Sequence, residues 1–198
     1  HYIVNLSSIR LLTVTKQEDL IMDRKNTANI VARECITTAL IQLSYQKEFS
    51  SITISELTAR AGVSRMTFYR NYSSKEEVFR TYIKEIAEEF RNDILRTKKP
   101  ETYGEYESIL HCCRYFEKYN TFISCLLHVG MGDLLLIALS SYLCSMFYDP
   151  ERDSIELYYE LLAYAGALFN IYLAWVTSGA KEPVEVLAGI LYRQFHRR

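Results

Sequence analysis

The chain has 198 residues, 49% of them hydrophobic and 24% charged, with 7 Gly and 3 Pro. That composition excludes a disordered or collagen-like chain and leaves little turn material for a many-stranded β fold. The net charge of −1 says nothing of a polyanion partner until its distribution along the chain is followed.

In segment 1–22, Arg10 interrupts the apolar run and Lys16, Glu18 and Asp19 follow, so no long apolar stretch of the signal-peptide kind forms. Residues 1–23, whose interior cations are few, read as a nonessential N-terminal extension. A first helix is predicted from about Ala28 to Tyr45, capped by Asn26 or Thr27, with Ile30, Val31, Ala39, Leu40 and Leu43 as its apolar positions. A second starts near Thr53 or Ser55 and ends at Ala61, before Gly62. A third starts at Ser64 and ends near Asn71. Ser73 or Ser74 caps a fourth, which carries Glu76 and Glu77 in its first turn, where the helix dipole favours negative charge. That helix continues to about Thr97 through Val78, Phe79, Tyr82, Ile83, Ile86, Phe90 and Ile94, until Lys98-Lys99-Pro100 breaks it.

Further helices are predicted over about 102–119, 121–128, 132–147, 153–178 and 183–196. The expected class is therefore all-α, with a small N-terminal domain (24–75), a connecting helix (76–97) and a larger C-terminal domain (98–198). From Arg24 to Lys75, eight basic residues face three acidic ones, a net +5, which leaves −6 for the rest of the chain. A positive small domain tethered to a negative larger one suits a polyanion partner for the first domain only.

The five cysteines (Cys35, Cys112, Cys113, Cys125 and Cys144) are odd in number and contain no CxxC pair. A disulfide framework is not expected, and a reducing cytoplasm is the default location. Cys125 and His128 form a lone CxxH, short of the four ligands of a structural zinc, so no metal or other cofactor is expected. The apolar stretch from Leu161 to Val176 is shorter than the roughly 20 residues of a bilayer span. It reads as a buried helix, and no membrane partner is expected.

The stretch Ile52 to Phe79, ITISELTARAGVSRMTFYRNYSSKEEVF, carries the functional information. Leu57 and Ala61 lie four apart on one helix face; Gly62 suits a left-handed helix end; Val63 plugs the turn; Ser64 caps the next helix. Phe68 and Tyr72, again four apart, face inward and leave Arg65, Met66, Thr67, Tyr69 and Arg70 mostly outward. This is a helix-turn-helix, whose second helix can enter the DNA major groove.

With these residues in place, the chain resembles the TetR family of bacterial transcriptional regulators over about residues 26–90. The resemblance rests on Thr53, Ala61-Gly62-Val63-Ser64, Tyr69, Tyr72 and Lys75 in order and at the family spacing. Met66, Asn71 and Leu57-Thr58 depart from the common pattern and bear on operator preference. The resemblance implies that Thr53 and Ser55 bond phosphate beside the helix amides, and that Ser64 caps the recognition helix at the DNA surface. It also implies that Lys75 and Tyr69 contact phosphate. Arg65 is the candidate base reader, because a guanidinium pairs bidentately with guanine O6 and N7. Met66 and Thr67 offer apolar contacts to thymine methyls. Asn71 bonds a phosphate or a base, and Arg70 faces phosphate or solvent.

The resemblance further implies that the C-terminal domain dimerises and holds an effector. Leu162, Ala163, Gly166 and Phe169, together with Leu187, Ile190 and Leu191, are the expected dimer interface, pairing the last two helices into a four-helix bundle. The aromatic-rich middle suggests a pocket contacted by Tyr106, Tyr115, Phe122, Tyr142, Tyr159 and Tyr172. The effector is either a small molecule or a protein, and it acts by changing the tilt of the fourth helix. No nucleophile–base pair, phosphate loop or carboxylate cluster points to an enzyme. The expected function is a dimeric DNA-binding regulator, a repressor of a double-stranded operator. The alternative is a helical adaptor of the same fold that acts mainly through a protein partner.

Overall fold

A computed structural model describes residues 27–97 and 103–196. Helix α1 covers 27–44. After a 3-10 turn at Phe49–Ser51 come α2 (Ile54–Ala61) and α3 (Arg65–Asn71). Their shared interior is built from Ile36, Leu40, Leu57 and Phe68, closed by Val78 and Phe79 from the start of the next helix, all fully buried. The predicted inward positions Phe68 and Tyr72 are buried. The start of α1 differs from expectation: Ile30 and Val31 are 49% and 51% exposed, and the core face runs instead through Ala32, Ile36, Ala39, Leu40 and Leu43. Two of the polar residues in this core have hydroxyls that bond a carbonyl. Ser44 Oγ donates to Leu40 O at 2.8 Å, and the buried Thr58 donates to Ile54 O at 2.8 Å.

Helix α4 (Lys75–Thr97) is a 23-residue rod that leaves the head and enters the body. Ser74 Oγ accepts from Glu77 N at 3.2 Å, so the second of the two candidate serines is its cap. Val78, Phe79, Ile83, Ile86, Phe90 and Ile94 are buried along it, a stripe at helical spacing. Arg33 ties α1 to this rod through Glu85 and donates to Tyr72 Oη at 3.3 Å.

The body consists of α5 (Tyr106–Glu117), α6 (Asn120–His128), α7 (Asp133–Phe147), α8 (Ile155–Thr177) and α9 (Val184–Phe195). α7 packs against α8 and α4, α5 lies along α9, and Leu161, Ala165, Ala188 and Leu191 are fully buried where they meet. Among the described residues there is no β-strand, so the expected all-α class is observed. The extension 1–23, the basic residues Arg24 and Lys25, the cap Asn26 and the break at Lys98-Lys99-Pro100 lie outside the described residues.

Two features of the body were not anticipated. First, Phe122, Cys125 and Leu126 of α6 are part of the same buried cluster as Ile36, Phe68 and Phe79. Phe122 meets Phe79 and Tyr82 at ring distances of 5.6 and 4.7 Å. His128 stacks on Tyr45, just past the end of α1, whose hydroxyl donates to Thr121 O at 3.2 Å. The head core is thus continuous with the body rather than closed at residue 75. Second, α8, a helix predicted over 153–178, is apolar over more than the Leu161–Val176 stretch and is long and apolar enough to cross a membrane by composition. Within the fold it instead buries Leu161, Tyr164, Ala165, Leu168, Trp175 and Val176 against its neighbours.

Candidate nucleic-acid interface

The turn between α2 and α3 is held by local chemistry at every step. Thr53 caps α2 with a reciprocal box: Glu56 N donates to Thr53 Oγ1 at 3.2 Å, and Thr53 N donates to Glu56 Oε2 at 3.1 Å. Lys47 donates to both oxygens of the same carboxylate, at 2.8 and 3.0 Å. The Lys47 bond and the two Thr53 bonds hold the Glu56 carboxyl down at about 2. Gly62 ends α2 at φ 68°, where a side chain costs free energy, and Val63 N reaches back to Thr58 O at 3.0 Å. Ser64 then caps α3, its Oγ accepting from Thr67 N at 3.0 Å.

α3 is anchored by one fully buried ring, Phe68, and by Tyr72 just past its end. Its opposite side is open. Arg65, Met66, Tyr69 and Arg70 are exposed, Met66 at 83%. Neither Arg65 nor Arg70 has a carboxylate partner among the described residues. An 83% exposed methionine beside an exposed tyrosine and two unpaired guanidinium groups is costly surface for a side facing only water.

The structure divides the ten predicted contact residues into two groups. Ser55, Arg65, Met66, Tyr69 and Arg70 present side chains outward at the α2 start and along α3. Thr53, Ser64, Thr67, Asn71 and Lys75 are engaged by the protein itself. Thr67 Oγ1 lies 2.9 Å from Ser64 Oγ, and Asn71 Nδ2 donates to Thr67 O at 2.9 Å. The Lys75 ammonium donates to the carbonyls of Phe49, Ser50 and Ile52, the last two at 3.0 Å, and sits 4.8 Å from the Phe49 ring centre. Lys75 therefore pins the loop that leads into α2, a role invisible in the sequence because its partners are backbone atoms some 25 residues away.

The body contains an apolar cavity of about 90 Å³ between α4 and helices α5 to α9. Tyr142 and Tyr172 of the predicted pocket line it. The other four are elsewhere. Tyr106 packs edge-on against Tyr192, Tyr115 lies over Glu89 and the Lys118 ammonium, Phe122 belongs to the head core, and Tyr159 is 63% exposed. Aromatic spacing marks a helix face without saying which neighbour that face meets, so these six rings are not brought together around one cavity. The same ambiguity affects the predicted dimer set. Leu187 and Leu191 are buried inside the protomer, and Phe169 lines the cavity, whereas Ala163 and Ile190 are exposed and Leu162 and Gly166 half-buried. Cavity walls such as Ile83, Phe90 and Leu168 were missed because they read simply as core.

A capped helix-turn-helix on a three-helix head, carried by a long rod into a helical body, is the architecture of a helix-turn-helix DNA-binding head on a helical body. A family model described as bacterial regulatory proteins, tetR family, matches residues 36–82, from within α1 to the first turns of α4. That match covers the head and the start of the rod, about a quarter of the chain, and the chain is similar to the TetR family over it. Over 77 residues it is 29% identical to an uncharacterized HTH-type transcriptional regulator, YxbF of Bacillus subtilis strain 168. That stretch is 38% of this chain and spans about a fifth (20%) of the relative's length. The fold is similar to that of the dihydroxyacetone kinase operon activator DhaS, with a TM-score of 0.58 and 19% identity over 83% of this chain and 94% of that one. It is also similar to FadR from Bacillus subtilis in complex with stearoyl-CoA, with a TM-score of 0.54 and 15% identity over 83% and 97% of the two chains.

Proposed function

We propose that this chain is a dimeric, sequence-specific DNA-binding transcriptional regulator that acts in the cytoplasm as a repressor and is released by an effector in its body. The observation that carries the reading is the open side of α3: Arg65, Met66, Tyr69 and Arg70 outward, opposite the buried Phe68. In this reading Arg65 reads a base edge, Met66 touches a thymine methyl, and Tyr69, Arg70 and Ser55 contact phosphates. Thr53, Ser64, Thr67 and Asn71 fix the turn, and Lys75 holds the loop before α2, its charge adding to the field behind the phosphate row.

Two heads read a two-fold operator at a spacing of about 34 Å or its multiples, which requires a dimer. The outer face of α8 supports one. Ile155, Tyr159, Ala163, Asn170, Ala174 and Thr177 are exposed there, with charge only at Glu156 and Glu160 near the helix start. A Cβ built on Gly166 meets nothing within 4 Å, so a second backbone has room to approach. Val186 and Ile190 of α9, 46% and 44% exposed, extend that surface. The effector acts through its differential affinity for two settings of α4, the rod that joins cavity to head.

The test is site selection from genomic DNA by the purified protein at two salt concentrations. A two-fold site whose affinity falls steeply with salt is expected, because phosphate contacts release counterions. Absence of any selected site at low salt overturns the reading in favour of an adaptor that works through a protein partner. Whether the output is repression or, as the name of DhaS states for that protein, activation follows from transcription of the adjacent genes with and without the chain.

A further inference from the structure

The apolar cavity has an antechamber. On the solvent side of α4 and α7 lies a groove of about 440 Å³. Cavity and groove share four wall residues, Ile83, Ala87, Ala138 and Tyr142. Two of these are alanines, so the partition is thin. The two spaces differ sharply in chemistry. The cavity offers almost no polar surface: the Tyr172 hydroxyl is already spent on Asn120 Oδ1 at 2.7 Å, and the buried Cys113 thiol is raised to about 12 and stays neutral. The groove is edged by Arg80, Lys84 and Arg91 against a single acid, Glu88, with the hydroxyl-bearing Ser141 and Ser145 opposite on α7.

Those three cations fall at i, i+4 and i+11 and share one face of α4. Neither Arg80 nor Arg91 has an ion-pair partner among the described residues, and Lys84 is near Glu77 without bonding it. Between the cations and the cavity the floor is apolar, and Ile137 is left 56% exposed in it. A line of positive charge, an apolar ramp and an apolar cavity follow one another across one helix pair.

We propose that groove and cavity together form one site for a single-tailed anionic amphiphile. The tail end lies in the cavity past Ala87 and Ala138, and a carboxylate or phosphate head sits on Arg80, Lys84 and Arg91. The cavity, about 90 Å³, is smaller than the roughly 150 Å³ apolar cavity that holds benzene, so it takes the end of a flexible chain rather than a ring. Nothing in the cavity satisfies a polar tail, which excludes sugars and peptides there. The positive edge excludes cationic amphiphiles. A molecule lying across α4 and α7 fixes their spacing, and α4 carries that setting to the head. This regulatory consequence rests on the proposed function; the binding itself does not.

The experiment is calorimetric titration of the full chain, without DNA, with decanoate and decyl phosphate below their micelle concentrations. Decan-1-ol and decyltrimethylammonium serve as the neutral and cationic counterparts. At least one anion is expected to bind about tenfold or more tighter than the alcohol, as charge-assisted bonds to guanidinium imply, and the cation is expected not to bind. Lengthening the alkanoate from hexanoate to decanoate should tighten binding by about three- to fourfold per methylene while the chain end is being buried. The exposed-face variant Arg80→Gln/Lys84→Gln/Arg91→Gln should bring the anion down to the affinity of the alcohol. Ala138→Leu, checked by its melting curve, should weaken anion and alcohol alike. The proposal is overturned if neither anion binds, if alcohol or cation matches the anions, or if the triple variant leaves anion affinity unchanged. Operator affinity of the same preparation is measured separately, so loss of the regulator reading and loss of this site are distinct results.

Discussion

α3 and α8 show two ways of making a helix in one chain. α3 has seven residues, buries one, and depends on Ser64 at its start and on the Gly62 turn before it. α8 has 23 residues, buries six, and carries a single side-chain cap at Ser154. A helix as short as α3 is unstable alone, so its shape is written in caps and turn residues. α8 is held by packing, so its surroundings decide what each of its residues does. The head thus carries its function in local chemistry, and the body carries its function in the way distant helices meet.

The largest expected effect breaks this division at its anchor. Phe68→Ala removes the one buried ring of α3 and should cost about 3–5 kcal/mol, seen as a lowered thermal midpoint together with loss of operator binding. An unchanged midpoint would show that the head core is not centred there. Arg65→Ala acts on the open side of the same helix. It should cost about 1–3 kcal/mol of operator affinity, relax preference at one base pair and leave the melting curve within about 0.5 kcal/mol of the parent. Ser64→Ala sits between the two cases. Loss of the cap should cost about 1 kcal/mol of stability, and operator affinity should fall with it in unfolding and binding titrations.

Acid sharpens the comparison further. The Glu56 carboxyl is lower in the folded chain, at about 2, than its ordinary value near 4.5. Its contribution to stability is therefore fully present above about 4.5 and is lost as pH falls through about 2. The α2 start should loosen first in that window, read by amide exchange at Thr53 to Glu56, whereas Glu56→Gln should flatten the dependence. The smallest effect concerns thiols. Cys35 on α1 is exposed, whereas burial pushes the Cys113 thiol to about 12 and Cys125 to about 11. A thiol reagent at neutral pH should label Cys35 rapidly, and the two buried cysteines only on unfolding.

The head was legible because its signals are local. Thr53, Gly62, Ser64, Phe68 and Tyr72 each act within a turn or two of chain, and each sits in the structure where its chemistry puts it. Lys75 was half legible: its position at the start of α4 was foreseen, and its three carbonyl partners were not. In the body, helix existence was legible and helix orientation was not. Tyr142 and Tyr172 reach the cavity while Tyr159 faces solvent, although all three belong to aromatic-rich helices of similar pattern. The cationic face Arg80–Lys84–Arg91 was visible as a spacing, yet nothing in that spacing says that a hollow lies behind it.

By itself the sequence determined the all-α class, the position of the turn and the side of α3 left open, because capping, left-handed glycine and helical period depend on neighbouring residues alone. The tertiary structure decided the rest: that α6 completes the head core, that Leu187 and Leu191 are interior, and that Ile83, Ala87, Ala138 and Tyr142 stand between a charged groove and an apolar hole. Those facts depend on which faces of separate helices meet. An apolar side chain carries no record of its partner, because the force that buries it has no direction.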